Sequence, residues 1–400
     1  MNPHHRGVAA RAALAIAMAS ALLLGFLPTV GRAQQGAGAR SWRRLSDAGP
    51  LAGHVLLNLP DGRLLALGGE SSPGVAGPGP LVLDLSRPAG GWTALTQSGD
   101  LPVSRLTGRG LLGAAAIVDP AENLLFLTCD CAEGHSAYTL DLGTGVWRSA
   151  AAADGPVALW YPILAYDAPR DRAVLIGGDQ AGTGELSGAV WAYDLSPARA
   201  GWTRLGDAGW TSSLLFGAYA VGPDAALYLF SGADAVGTVQ ESLWRVDLAH
   251  AGEAAGWTVV AVPAGPAGRL GATLVFDPAS RAGWLYGGYR AVADIPQDQA
   301  DIWRLTGIGG GGPASWTAVA DLVGTEQPQA RSGHASAWDS IGGRMLVYGG
   351  AHSTEGDTRY LGDTWSLEPA ALPSSTPTPT ATSPATPSMP RIYLPWGSKP

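Results

Sequence analysis

One pattern returns six times between residues 41 and 367, and it constrains this chain more than any other feature. Tryptophans 92, 147, 202 and 257 stand 55 residues apart, and Trp316 follows after 59. Each copy reads as four short strands. The second is an apolar run ending in small residues: RLLALGG (63–69), NLLFLTCD (123–130), RAVLIGG (172–178), ALYLFSG (226–232), GWLYGG (283–288) and RMLVYGG (344–350). The third alternates around a large residue and usually an Asp: PLVLDL (80–85), AYTLDL (137–142), VWAYDL (190–195), LWRVDL (243–248), DIWRL (301–305) and DTWSL (363–367). The fourth opens on Trp, as in GWTAL (91–95), VWRSA (146–150), GWTRL (201–205), GWTVV (256–260) and SWTAV (315–319). A period of this size with four strands per unit predicts the blades of a β-propeller.

The sixth copy lacks a Trp strand because the chain runs on into a Pro/Thr-rich stretch after Leu367. The missing strand stands at the other end, as SWRRL (41–45). The expectation is an all-β, six-bladed ring over residues 41–370, closed by strand 41–45 completing the last blade. Closure removes the edge that an open blade would offer for aggregation. Composition agrees: 57 Gly, 15 Trp and 14% charged residues exclude disorder and long solvated helices. Gly falls at no strict third position, which excludes collagen.

The motifs resemble the Kelch repeat: a diglycine ending the second strand, a Trp opening the fourth, and His54 and His334 at its first-strand histidine. Arg331-Ser332-Gly333-His334 is the fullest match. The resemblance implies a Kelch-type propeller of the galactose oxidase superfamily.

The ends read differently. His4, His5, Arg6 and Arg11 precede an apolar run from Ala12 to Leu27, with small residues following. Residues 1–33 are therefore expected to be a secretory signal peptide, too short in its apolar run for a membrane span. Residues 371–390 are expected to be a Pro/Thr/Ser-rich linker, and residues 391–400 a short apolar tag. The protein is expected outside the cell or on its surface, as a monomer with no membrane span after cleavage. A net charge of −8 leaves no basic footprint for nucleic acid.

Tight turns such as Asp61-Gly62, Asp119-Pro120, Asp277-Pro278 and Ile341-Gly342-Gly343 join first to second strands. The long connections 70–79, 179–188, 233–241, 289–300 and 351–362 gather on the opposite face. Long loops on a rigid scaffold carry binding. The candidates on that face are Arg105, Arg109, Trp160, Tyr161, Trp210, Arg269, Tyr289, Arg290, Arg331 and His352. His54 and His334 read as histidines satisfied within the innermost strands. Cys129 and Cys131, two residues apart, are either a local disulfide or two free thiols in an exported protein; no metal site is expected from them.

The resemblance also raises an enzyme reading. Galactose oxidase and related copper-radical oxidases hold copper with two Tyr and two His, one Tyr cross-linked to a Cys. They carry an adjacent Tyr-His pair, and this sequence has none. The Ser-x-Asp-x-Gly-x-x-Trp boxes of sialidases are absent too. No phosphate loop, zinc signature or nucleophile elbow appears. The expected role is a non-catalytic module for a protein or glycan ligand on the long-loop face, without a cofactor. The alternative is a carbohydrate-active enzyme, sialic-acid mutarotase-like or galactose oxidase-like.

Overall fold

A computed structural model describes residues 40–104, 111–131, 137–150, 155–180, 185–208, 215–234, 237–292, 295–309, 312–354 and 357–369. The expected signal peptide, linker and tag lie outside these residues. Six antiparallel sheets form six blades. Blade 1 comprises Ala52–Asn58, Arg63–Ser72, Leu81–Asp84 and Thr93–Ala94. Blade 2 comprises Ala115–Asp119, Leu124–Thr128, Ala137–Asp141 and Val146–Ser149. Blade 3 uses Ile163–Asp167, Arg172–Ile176, Ala189–Asp194 and Gly201–Asp207. Blade 4 uses Ala218–Val221, Leu227–Phe230, Leu243–Val246 and Trp257–Val259. Blade 5 uses Thr273–Asp277, Ala282–Tyr286, Ile302–Thr306 and Ser315–Ala318. Blade 6 takes Ala335–Asp339, Arg344–Tyr348 and Asp363–Pro369 from the C-terminal side, and Arg40–Asp47 from the N-terminal side.

That last pairing is the expected closure. Trp42 lies opposite Leu367 and Asp47 opposite Asp363 in an antiparallel ladder. The six first strands neighbour one another in cyclic order, blade 6 returning to blade 1.

The core is divided among the seams between blades. Each second strand turns alternate residues to its two neighbours: Leu285 packs toward blade 4, Trp284 and Tyr286 toward blade 6. The fourth-strand Trp of one blade meets the second-strand aromatic of the preceding blade. Trp42 lies 5.1 Å from Tyr286, Trp92 4.9 Å from Tyr348, Trp202 5.8 Å from Phe126 and Trp316 5.5 Å from Phe230, between ring centroids. Tilted contacts at these separations add to burial because ring edges meet ring faces. With both faces of each blade covered, few charged side chains can be accommodated, which explains the low charge.

Two features depart from the sequence pattern. The fourth strand of blade 1 shrinks to Thr93–Ala94 behind a 3₁₀ turn at Pro88–Gly90. Blade 2 gains a fifth strand, Ser98–Gly99, parallel to Val146–Ser149. Among the described residues no helix is long and apolar enough to cross a membrane.

A candidate binding site at the upper channel mouth

The long connections form the upper face. Two fold into separate hairpins, Tyr289–Val292 with Ile295–Asp298 and Ala351–Thr354 with Asp357–Tyr360, and a third prolongs the second strand of blade 1 to pair Glu70 and Ser72 with Val75–Ala76. Beneath them, each first strand is entered through one residue with left-handed backbone. These are Gly53 (φ 65°), Gly113 (63°), Tyr161 (51°), Phe216 (59°), Gly271 (64°) and Gly333 (61°). Their peptide groups link neighbouring blades. Gly53 N–H donates to Gly333 (2.8 Å), Gly333 to Gly271 (2.9 Å), Gly271 to Phe216 (2.8 Å) and Tyr161 to Gly113 (2.7 Å). The channel is thus laced at its upper end by a belt of backbone hydrogen bonds.

Glycine occupies four of these positions at little cost, whereas a bulky residue there costs about 1–2 kcal/mol. The Tyr161 ring lies over Gly113, where an added Cβ would sit 3.1 Å from it, and its hydroxyl reaches to Gly53. The Phe216 ring, 39% exposed, is 4.7 Å from that of Tyr161 and inclined by 55°. Two strained residues therefore place two aromatic rings over the channel mouth.

Polar groups gather beside them. Tyr360 donates its hydroxyl to Glu70 Oε2 at 3.2 Å. Burial, then the Glu70 carboxylate, pushes the Tyr360 phenol up to about 12. Burial, then Glu70, then Tyr360 pushes Tyr161 higher still, so it remains a hydroxyl donor. Asp298 Oδ2 accepts from Ser353 N–H at 2.5 Å and ties one hairpin to the other, while Oδ1 is buried without a partner. Burial raises the Asp298 carboxyl above its ordinary range. Trp160 Nε1 and Arg290 Nε are also buried donors without partners. Each buried polar atom without a partner calls for an explanation, and a ligand or an ordered water at the mouth would supply one.

The sequence candidates separate accordingly. Trp160, Tyr161, Tyr289, Arg290 and His352 belong to the upper face. His352 Nδ1 is 2.8 Å from the Ala330 carbonyl and 3.7 Å from Asp298. Arg269 and Arg331 are buried within blades 5 and 6. Arg331 forms a bidentate pair with Asp363 (2.8 and 3.0 Å) and donates to the Gly349 carbonyl (2.8 Å). Arg269 does the same with Asp301 (2.6 and 3.1 Å) and Gly287 (3.0 Å). Each guanidinium clamps a diglycine to the head of the third strand. Arg105, Arg109 and Trp210 lie outside the described residues. Sequence reasoning missed Phe216, Glu70, Tyr360 and Asp298. Phe216 was discoverable, because it aligns with the Gly that precedes the first-strand histidines.

His54 and His334 are buried one residue beyond the belt. His334 Nε2 is 2.8 Å from Thr273 Oγ1, which contacts Ser336 Oγ at 2.6 Å. His54 differs from its expected satisfied state: neither ring nitrogen has a partner. The repeat explains this, since Ala335 stands in blade 6 where Thr273 stands in blade 5. Cys129 and Cys131 are disulfide-bonded with Cα atoms 5.2 Å apart. The spacing is shorter than in an extended strand because the strand has already ended at Thr128.

Copper held as in the galactose oxidase superfamily does not fit these residues. Both cysteines are in the disulfide, so neither can cross-link to a Tyr. The tyrosines against His54 and His334 turn their hydroxyls away, Tyr348 to the Gly49 carbonyl and Tyr286 to the Gln329 carbonyl.

No protein-family model matches this chain, and no curated protein matches it. Solved structures do match in shape. YjhT superposes with a TM-score of 0.57 at 13% identity, over 80% of this chain and 95% of YjhT. A fungal alcohol oxidase of the AA5 family, determined in complex with copper, superposes with a TM-score of 0.51 at 14% identity, over 84% of this chain and 77% of the oxidase. At such identities the likeness concerns the fold.

Proposed function

We propose that this six-bladed propeller, of the Kelch and galactose oxidase-like type, is a secreted or cell-surface binding module that takes a protein or glycan ligand on its upper face. The observation that supports this reading is the pair Tyr161 and Phe216. Four blades use glycine in the belt, and two accept backbone strain to present an aromatic ring instead. Strain of this kind persists where the surrounding structure and a function hold it in place. Rings over a closed channel, flanked by Glu70, Tyr360 and the two hairpins, suit a ligand that stacks and accepts or donates hydrogen bonds at the rim.

The test uses the residue that the other blades carry. Tyr161→Gly and Phe216→Gly fit the belt without strain, so the variants should fold. On glycan and surface-protein arrays, wild type should retain a ligand and both variants should lose it at least tenfold. A ligand held equally by the double variant would place the site elsewhere, and silence of the wild type would remove the binding reading. Catalysis on a sugar is the competing reading, and the Glu70, Tyr360 and Tyr161 group favours it. Interconversion of sugar anomers followed by NMR would decide for it.

A further inference from the structure

The seam between blades 5 and 6 carries a second, unrelated feature at its lower end. Trp284 and Ile302 of blade 5 and Trp42 of blade 6 fill this seam. Side chains alternate along strands, so Arg304, two residues after Ile302, also faces blade 6. Arg40, two residues before Trp42, also faces blade 5. Their guanidinium carbons lie 4.6 Å (Arg40) and 5.8 Å (Arg304) from the centroid of the Trp284 ring. Trp338 stacks on the same indole at 6.5 Å and 14°.

The internal repeats show how unusual this is. The residue two before the fourth-strand Trp is Gly90, Gly145, Ala200, Ala255 and Ala314 in the other blades, and Arg40 only here. The positions equivalent to Arg304 hold Val82, Thr139, Ala192, Arg245 and Ser366. Arg245 is the one other cation, and it is neutralised by Asp224 at 3.0 Å. Among the described residues neither Arg40 nor Arg304 makes an ion pair. Asp277 is the acid within electrostatic reach of Arg40, and it is occupied by Ala279 N–H and Ser280 Oγ. Arg304 Nε is buried without an acceptor, and so is Nε1 of Trp284, a residue only 1% exposed. The seam thus brings together donors and two positive charges, with Asp277 the one carboxylate acting on Arg40 and no acceptor bonded to Arg304 Nε or Trp284 Nε1. Buried polar groups without partners are costly, and guanidinium groups pair best with oxyanions.

We propose that the lower end of this seam binds a small inorganic oxyanion, sulfate or phosphate, between Arg40, Arg304 and the Trp284 indole N–H. The enclosure of Trp284 favours an ion over a polymer. A bound anion would join the N-terminal closing strand to blade 5 and so strengthen the closure of the ring.

Thermal unfolding at constant ionic strength, set with sodium chloride, tests this with added sulfate, phosphate or acetate. The wild-type midpoint should rise with the logarithm of one plus the ratio of sulfate or phosphate concentration to the dissociation constant, by about 2 °C at ten times that constant. Arg40→Ala, which introduces the residue three other blades carry, should abolish the rise, as should Arg304→Gln. Selenate in crystals of the wild type should give an anomalous peak beside Trp284. A wild-type midpoint that rises only in proportion to concentration, an equal rise in Arg40→Ala, or a rise with acetate alone would overturn the proposal. Absence of the selenate peak would overturn it independently of how the variants fold.

Discussion

Acidification from about pH 7 to about pH 5 should destabilise this propeller, by about 2 kcal/mol through His54 alone and further in the same direction through His334. Burial lowers the His54 imidazole from 6.5 to about 3. Burial, then Arg331, then His54 lowers His334 well below its ordinary value. An unfolded histidine takes up a proton near pH 6.5, whereas the native one remains neutral, so stability is lost as pH falls below the unfolded value. Each unit of pH in that window costs about 1.4 kcal/mol for His54, or about 2 kcal/mol by pH 5, and His334 adds a loss of the same sign. Asp301 and Asp363, whose carboxyls are held low by their arginine partners against the opposing effect of burial, lose their contribution only below the unfolded value of 3.8, outside this window. Asp298, raised by burial, acts with the opposite sign above that value and offsets part of the loss. Urea unfolding of wild type and His54→Leu at the two pH values measures the effect. The variant should lose less stability than wild type between the two pH values, by about 2 kcal/mol. Equal losses in the two proteins, or a wild type indifferent to pH, would refute the assignment of a buried neutral His54.

Three further outcomes follow from the blade architecture. Deleting Arg40–Asp47 uncovers the edge of Asp363–Pro369, so the melting temperature should fall and light scattering should show association; an unchanged monomer would count against closure. Arg331→Ala leaves Asp363 without its bidentate partner and Gly349 without its donor, which should cost about 3 kcal/mol in chemical denaturation. Gly349→Ala should be as damaging, because φ is +66° and the new Cβ would clash with the Leu51 carbonyl and meet His54 Cε1 at 2.9 Å.

The repeats alone specify the six blades, their strand order, the closure by residues 41–45 and the face that carries the long connections. Those features rest on patterns within one blade: a strand alternates every two residues, a tight turn needs Asp, Gly or Pro, and six copies in register reinforce one another. The site was legible only in part. Tyr161 and Trp160 could be placed on the upper face, but Arg269 and Arg331 looked the same as ligand-facing arginines until their partners Asp301 and Asp363, 32 residues away, were seen. Which residues meet across blades follows from the packed ring: Phe216 beside Tyr161 in the belt, His54 against Tyr348 without a hydrogen-bond partner, and Arg40 beside Arg304 at the closing seam. Such contacts join distant positions, as the hydrogen bond between Tyr360 and Glu70 does across 290 residues, and no local pattern encodes them. Ring closure sets these distances, so the composition that announces the blades says nothing of what the seams and the mouth bring together.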